Sequence, residues 1–245
     1  MTAWLAGALD GARLHLWDDQ AQTPRIRALD GADAQTVIAQ EMDRLGAERA
    51  ALAGAEGAVL RIPCKPARPE GPAHQLRLLP KLVQDHPACE VTPREVALIA
   101  GLLKARPQFD GVVAITGETT LWAQISAEEV VSITRTATGR LFAALGGGHP
   151  LPPDAAFETA LSETRARPER LMRELAQPMP KAQSLLGALI GAELCDTKPW
   201  WLGQQVLAFG PFATALSHAL SLQGVAATEG AAEQAVLAGL RSYLE

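Results

Sequence analysis

Residues 111–136, GVVAITGETTLWAQISAEEVVSITRT, decide how this chain is read. Three strand-like runs, GVVAIT, TTLWAQIS and VVSITRT, follow in succession, the first two separated by a break at Gly117-Glu118. The same order opens the chain. AWLAGAL and RLHLW flank Asp10-Gly11, and RIRAL at 25–29 supplies a third strand. An Asp-Gly pair between two such runs is a strong hairpin signal. A second lobe therefore begins near Asp110, and the expected division is 1–108 and 109–245. The fold class expected is α/β, each half a mixed sheet flanked by helices, with the repetition carried by element order and not by residue identity.

Between and after these strand triplets the helical signals are local. Asp33 caps a helix whose apolar positions Val37, Ile38, Met42 and Leu45 keep helical spacing up to Gly46. A short strand, AVLRI, follows. Residues 63–75, PCKPARPEGPAHQ, are too rich in Pro and Gly for regular structure and predict a loop before the strand LRLLP. Thr92-Pro93-Arg94-Glu95 is a capping box with proline at the first helical position, starting a helix through Leu98, Ile99, Leu102 and Leu103. In the second half Thr138 is expected to cap the helix GRLFAAL, which stops at Gly146-Gly147-Gly148. Helices are expected near 154–166, 168–177 and 181–195, the last strongly amphipathic. The end predicts a strand QVLAFG, a helix from Pro211 to Leu220, a strand GVAAT and a closing helix EQAVLAGLRSYL.

The 245 residues carry 22 Lys+Arg against 27 Asp+Glu, a net charge of -5. No basic field is available for nucleic acid or an anionic membrane, so neither is an expected partner. At 48% hydrophobic and 4% aromatic the core must be aliphatic. No window approaches the roughly 18 apolar residues of a membrane span, and the start lacks a positive n-region, which leads us to expect a cytoplasmic protein. The three cysteines show neither CxxC nor metal spacing and are expected as reduced thiols. The five histidines include no pair at i and i+4, which argues against a histidine-bound metal. Trp200-Trp201 is read as buried in preference to a partner-binding patch.

Several stretches carry a family resemblance. Trp4-Leu5-Ala6, Arg13-Leu14 and Trp17 sit where the 2-dehydro-3-deoxygalactonokinase family has its opening Trp, Leu-Arg and Trp positions. Ile115 to Trp122 resembles that family's Pro-Gly-Thr-His-Ser-Lys-Trp hairpin, and Ala137-Thr138-Gly139-Arg140-Leu141 its Met-Thr-Gly-Glu-Leu. Leu186 to Glu193 is similar to its Leu-Ile-Gly-Ala-Glu helix, and the last sixty residues follow the same family. The resemblance implies an actin-like, ribonuclease-H-like fold of two lobes and ATP-dependent, magnesium-requiring phosphorylation of a 2-keto-3-deoxy sugar acid. The expected ligand is thus a small sugar acid; a homodimer is left open.

Phosphoryl transfer needs backbone donors that admit the phosphates closely, a metal-positioning carboxylate, and a group near the acceptor hydroxyl. By resemblance, Gly11, Gly117, Thr119, Thr120 and Gly210 face the nucleotide, Gly139 and Arg140 lie toward the sugar acid, and Glu95 is a catalytic carboxylate; Asp10 is expected to replace the family's metal-holding, catalytic carboxylate. The chain departs from the family pattern at several of these places. The family's first-hairpin Asp falls on Ala8, two positions from Asp10. Its second-hairpin His and Lys fall on Thr119 and Leu121, its Arg-Gly-Glu-Glu-Thr on Thr92 to Val96, and its Thr-Gly-Glu on Thr138-Gly139-Arg140. The glycines and Glu95 also have backbone or capping reasons to be where they are. Beside the kinase, two readings stay open: a kinase-fold scaffold that binds or regulates without the reaction, and a sugar-acid sensor that does not use ATP.

Overall fold

The computed structural model describes residues 4–54, 57–66, 75–177 and 181–244. It begins with the hairpin β1 (Trp4–Asp10) and β2 (Arg13–Asp18), then β3 (Arg25–Ala28), α1 (Ala34–Leu45), β4 (Arg49–Ala53), β5 (Val59–Arg61), β6 (Leu76–Leu78), β7 (Lys81–Gln84), β8 (Cys89–Val91) and α2 (Pro93–Ala105). It continues with β9 (Gly111–Ile115), β10 (Thr120–Ser126), β11 (Glu129–Thr136), α3 (Thr138–Ala144), α4 (Ala155–Ala166), α5 (Leu171–Glu174) and α6 (Ala182–Asp196). Last come α7 (Lys198–Trp201), β12 (Val206–Phe209), α8 (Ala213–Ser221), β13 (Ala227–Glu229) and α9 (Ala232–Leu244). Residues 67–74 of the loop expected at 63–75 lie outside the described residues.

The chain divides into two compact units, Met1–Phe109 with Ser126–Ser132 and Ala231–Glu245, and Asp110–Ile125 with Ile133–Gly230. Sequence order alone assigns the closing helix to the second lobe; by packing, α9 belongs to the first unit. Each unit holds a five-stranded sheet, ordered β3-β2-β1-β4-β6 in one and β11-β10-β9-β12-β13 in the other. The two orders are the same, third, second, first, fourth, fifth. In the first sheet β1 pairs antiparallel with β2 and parallel with β4; in the second, β9 pairs antiparallel with β10 and parallel with β12. A small sheet, β5-β7-β8, accompanies the first unit.

Strand β4, with sequence RAALA, is central and was not expected from the sequence. Alanine favours helix over strand when judged alone. Here Ala50 to Ala53 are fully buried, and parallel pairing on both edges decides the outcome. On one face of this sheet Leu5, Leu14, Leu16 and Leu52 meet Val37 and Ile38 of α1. Both expected capping motifs are formed. Asp33 accepts from the N–H groups of Gln35 and Thr36, and Thr92 with Glu95 completes the box.

Helices α2 and α9 pack backbone to backbone. A Cβ on Gly239 would lie 1.8 Å from the Ala97 carbonyl oxygen, and one on Gly101 2.0 Å from that of Ala235. The last carbonyls of α9 are held by arginines from the sheet, Arg49 donating to Leu244 O at 2.7 Å and Arg77 to Tyr243 O. Those bonds satisfy acceptors that a helix end leaves open.

In the second unit α6 corrects an expectation. It is buried on nearly all sides and not amphipathic, with Leu185 to Gly191 all buried. Trp201 is buried, its indole N–H donating to Leu194 O at 3.0 Å, while Trp200 packs partly buried against the same core. Thr138 is also corrected. It is the first residue of α3 and makes no cap; its hydroxyl is used elsewhere. Because the α2–α9 contact is formed by backbone atoms that cannot yield, Gly239→Ala is expected to cost about 1–3 kcal/mol, the usual range for overpacking. Chemical denaturation checks this, and an unchanged midpoint would contradict the close approach.

Candidate functional site

In the second unit, parallel pairing puts the ends of β9 and β12 side by side, Ile115 opposite Phe209. The residues that follow each strand are then neighbours. Thr116 bonds through its N–H and its hydroxyl to Phe209 O, both at 2.8 Å, and its hydroxyl oxygen accepts from the Phe212 N–H at 3.0 Å. Gly210 adopts φ +95°, and a Cβ there would meet the Thr116 carbonyl oxygen at 2.1 Å. Only glycine fits this crossing.

The turn after Thr116 is also fixed from α3. The Arg140 N–H donates to Glu118 O at 2.6 Å, and a Cβ on Gly139 would lie 1.8 Å from Gly117 O. Arg135 donates to the Thr119 hydroxyl at 3.0 Å. Gly117 itself is open: the nearest atom to a Cβ there is Thr119 O, at 3.7 Å. Gly117, Thr119, Thr120, Gly139, Arg140 and Gly210 are thus brought into one cluster, as a set of turns around the ends of two parallel strands.

Beneath the turn lies Glu193, a residue that sequence reasoning did not single out. Its Oε1 accepts from the Trp122 indole N–H at 2.8 Å and its Oε2 from the Thr138 hydroxyl. Burial pushes its carboxyl above the ordinary range, against the pull of hydrogen bonds from Thr138, Trp122 and Thr120 among others. The sequence does carry a signal for it: a lone acidic residue inside the otherwise apolar run LLGALIGAELC.

The remaining expected residues lie in the first unit. Asp10 ends β1, its side chain 61% exposed, with Oδ2 3.9 Å from His15 Nε2. Gly11 takes φ +58° in the hairpin turn, with open space on its side-chain face. On the other side of the imidazole, Nδ1 lies 3.4 Å from Glu233, which in turn receives a bond from Arg94. This His15–Glu233–Arg94 chain was not expected either; in sequence its bonded pairs are separated by 218 and 139 residues. Glu95 completes its capping box, its carboxylate accepting from the Thr92 N–H at 2.8 Å and the Thr92 hydroxyl at 2.9 Å.

A hydrated magnesium ion keeps several waters and asks for only one or two protein carboxylates beside the phosphates. The exposed carboxylate of Asp10 fits that requirement. Among the described residues no group of three His, Cys, Asp or Glu converges into an all-protein metal cage. A separate cavity of about 200 Å³ lies between the Gly146-Gly147 connector and the start of α6. None of the expected site residues lines it.

The model of the 2-keto-3-deoxy-galactonokinase family matches residues 46–243. A solved structure of a Sinorhizobium meliloti protein, provisionally named a 2-dehydro-3-deoxygalactonokinase, superposes with a TM-score of 0.78 at 20% identity, covering 99% of this chain and 98% of the other. Component A of the Acidaminococcus fermentans (R)-2-hydroxyglutaryl-CoA dehydratase superposes with a TM-score of 0.54 at 10% identity, covering 99% and 97%. No match is found among curated proteins by sequence. The fold is the actin-like α/β fold, and the family match supports a sugar kinase. No helix among the described residues is long and apolar enough to cross a membrane.

The raised titration of Glu193 has a consequence for stability. A carboxyl that holds its proton more firmly in the folded state than in the unfolded chain contributes stability below its ordinary value of 4.5 and loses it as pH rises. The native chain is therefore expected to lose stability relative to Glu193→Gln as pH is raised from about 4.5. Urea denaturation of both proteins across that range measures it, and a difference independent of pH would contradict the burial argument.

Proposed function

This chain belongs to the 2-keto-3-deoxy-galactonokinase family, and from that membership we propose that it is an ATP-dependent sugar-acid kinase. Its acceptor would be 2-dehydro-3-deoxygalactonate or a closely related 2-keto-3-deoxy acid. The observation that carries the reading is the cluster at the ends of β9 and β12. There a turn that begins at the open Gly117 is held by Thr116, Gly139 and Arg140.

Such a turn suits phosphates because catalysis of their transfer is mostly positioning and electrostatic stabilisation. Backbone N–H groups of Gly117 to Thr119 would meet the phosphate oxygens, with the Thr119 hydroxyl oriented by Arg135. The nucleoside would pass the β12–α8 turn at Gly210, whose close approach to the Thr116 carbonyl fixes that turn beside the end of β9. The exposed guanidinium of Arg140 is suited to a carboxylate, which it can bind through two parallel N–H donors. Asp10 would hold the hydrated magnesium ion, which when bound supplies charge neutralisation at the transferring phosphoryl group. Glu95 has a helix start to close, so the reading leaves it out of the reacting groups and gives it the placement of α2.

Replacing the family's Lys by Leu121, fully buried in β10, removes a cation from the second hairpin. Arg135 beside Thr119 and Arg140 beside Glu118 are cations at that turn. A kinase with these parts releases ADP only when both magnesium and a keto-deoxy acid are supplied. Asp10→Asn is expected to lower kcat/KM by about two to three decades while the protein stays folded. A coupled ADP-release assay with a panel of 2-keto-3-deoxy acids tests both statements; ADP release that is absent, or indifferent to the acid, would overturn the reading.

A further inference from the structure

Glu193 is charged by chemistry, 5% exposed, and placed where an apolar residue would pack without cost. Burying a carboxyl in such a core is unfavourable unless its oxygens are bonded, and removing one partner leaves the other group orphaned. Its bonds add fixed polar ties between elements that otherwise share an apolar core. From α6 it reaches Trp122 on β10, two residues after Thr120, and Thr138 at the first position of α3, one residue before Gly139. Gly139 in turn touches the Gly117 carbonyl, and Arg140 holds Glu118 O at 2.6 Å. One carboxyl therefore braces both walls of the turn at 117–119 from below while touching none of its exposed face.

We propose that Glu193 is the positioning residue of this turn: by tying Trp122 and Thr138 to α6 it sets the distance between β10 and α3, and so the opening into which phosphates fit. The inference rests on the kinase reading for its ligand but not for its geometry. Glutamine keeps the arrangement, because its carbonyl accepts from the Trp122 indole and its amide donates to the Thr138 hydroxyl. Methionine fills a similar volume and does neither. Trp201→Phe serves as a control. It deletes a buried hydrogen bond in the same core cluster, from Trp201 to Leu194 O, away from the turn.

The test uses the full chain in two measurements. Amide hydrogen exchange of residues 117–120 and 138–141 is followed without nucleotide, and ATP with magnesium is titrated calorimetrically. In Glu193→Met the turn amides are expected to exchange about tenfold faster and ATP to bind about tenfold more weakly, the size of one buried hydrogen bond left unmade. Glu193→Gln stays within about threefold of the native chain in both, and Trp201→Phe leaves both unchanged at the turn. If Glu193→Met does not fold, Thr138→Val carries the same expectation through the single arm it removes. Should the native chain bind no ATP while the turn loosens as described, the kinase reading fails and the positioning role stands. Should ATP bind equally well to native, Met and Val proteins, with unchanged exchange at the turn, the positioning role fails and the kinase reading stands. Equal loosening in Trp201→Phe would also overturn the inference, by showing that any lost core bond suffices.

Discussion

Parallel pairing of the first and fourth strands is the constraint on which each unit depends. Two parallel neighbours end on the same side of a sheet, so whatever follows one lies beside whatever follows the other. In the second unit this puts Thr116 and Gly210 in contact, and the pair is fixed by hydrogen bonds from Thr116 and by a glycine with no room for a side chain. In the first unit β1 and β4 pair the same way, and β1 continues into the Asp10-Gly11 turn. The identical strand order of the two sheets makes this arrangement a repeated solution within one chain.

What surrounds the two turns differs, and the difference is chemical. The turn at 117–119 carries one acidic side chain, Glu118, has Arg135 and Arg140 at its margins, and is followed by elements tied to a buried carboxyl. The turn at 10–12 ends in an exposed carboxylate with His15, Glu233 and Arg94 in line behind it. Backbone N–H groups at a glycine turn favour oxyanions, with Arg135 and Arg140 offsetting the charge of Glu118, whereas an exposed carboxylate favours a hydrated cation. That division of labour is what the proposed phosphotransfer would need; Ala8 and Leu121 stand where the family pattern has a carboxylate and a cation.

Much of the fold was legible in the residues because local and global preferences agree there. The two hairpins, the caps at Asp33 and Thr92 and the closing helix all carry their own turn or capping chemistry. Where tertiary structure overrides local preference, the sequence misled. Ala-rich β4 is a strand only because it is paired on both sides; α6 is buried all round because α3, α4 and α8 pack on it; and Thr138 gives its hydroxyl to Glu193 and not to its own helix. Gly117, Thr119, Thr120, Gly139, Arg140 and Gly210, named from the family resemblance, lie together around the ends of β9 and β12. Glu193 was not singled out, because its role depends on which side chains meet across 55 and 71 residues of chain.

The central claim is that the turn following β9 receives the phosphates of a nucleotide. A crystal structure of the full chain with magnesium and a non-hydrolysable ATP analogue tests it most directly. Phosphate oxygens about 3 Å from the N–H groups of Gly117 to Thr119, with the nucleoside passing Gly210, is the result this account predicts. Phosphates seated elsewhere, such as in the cavity beside Gly146-Gly147, would contradict it.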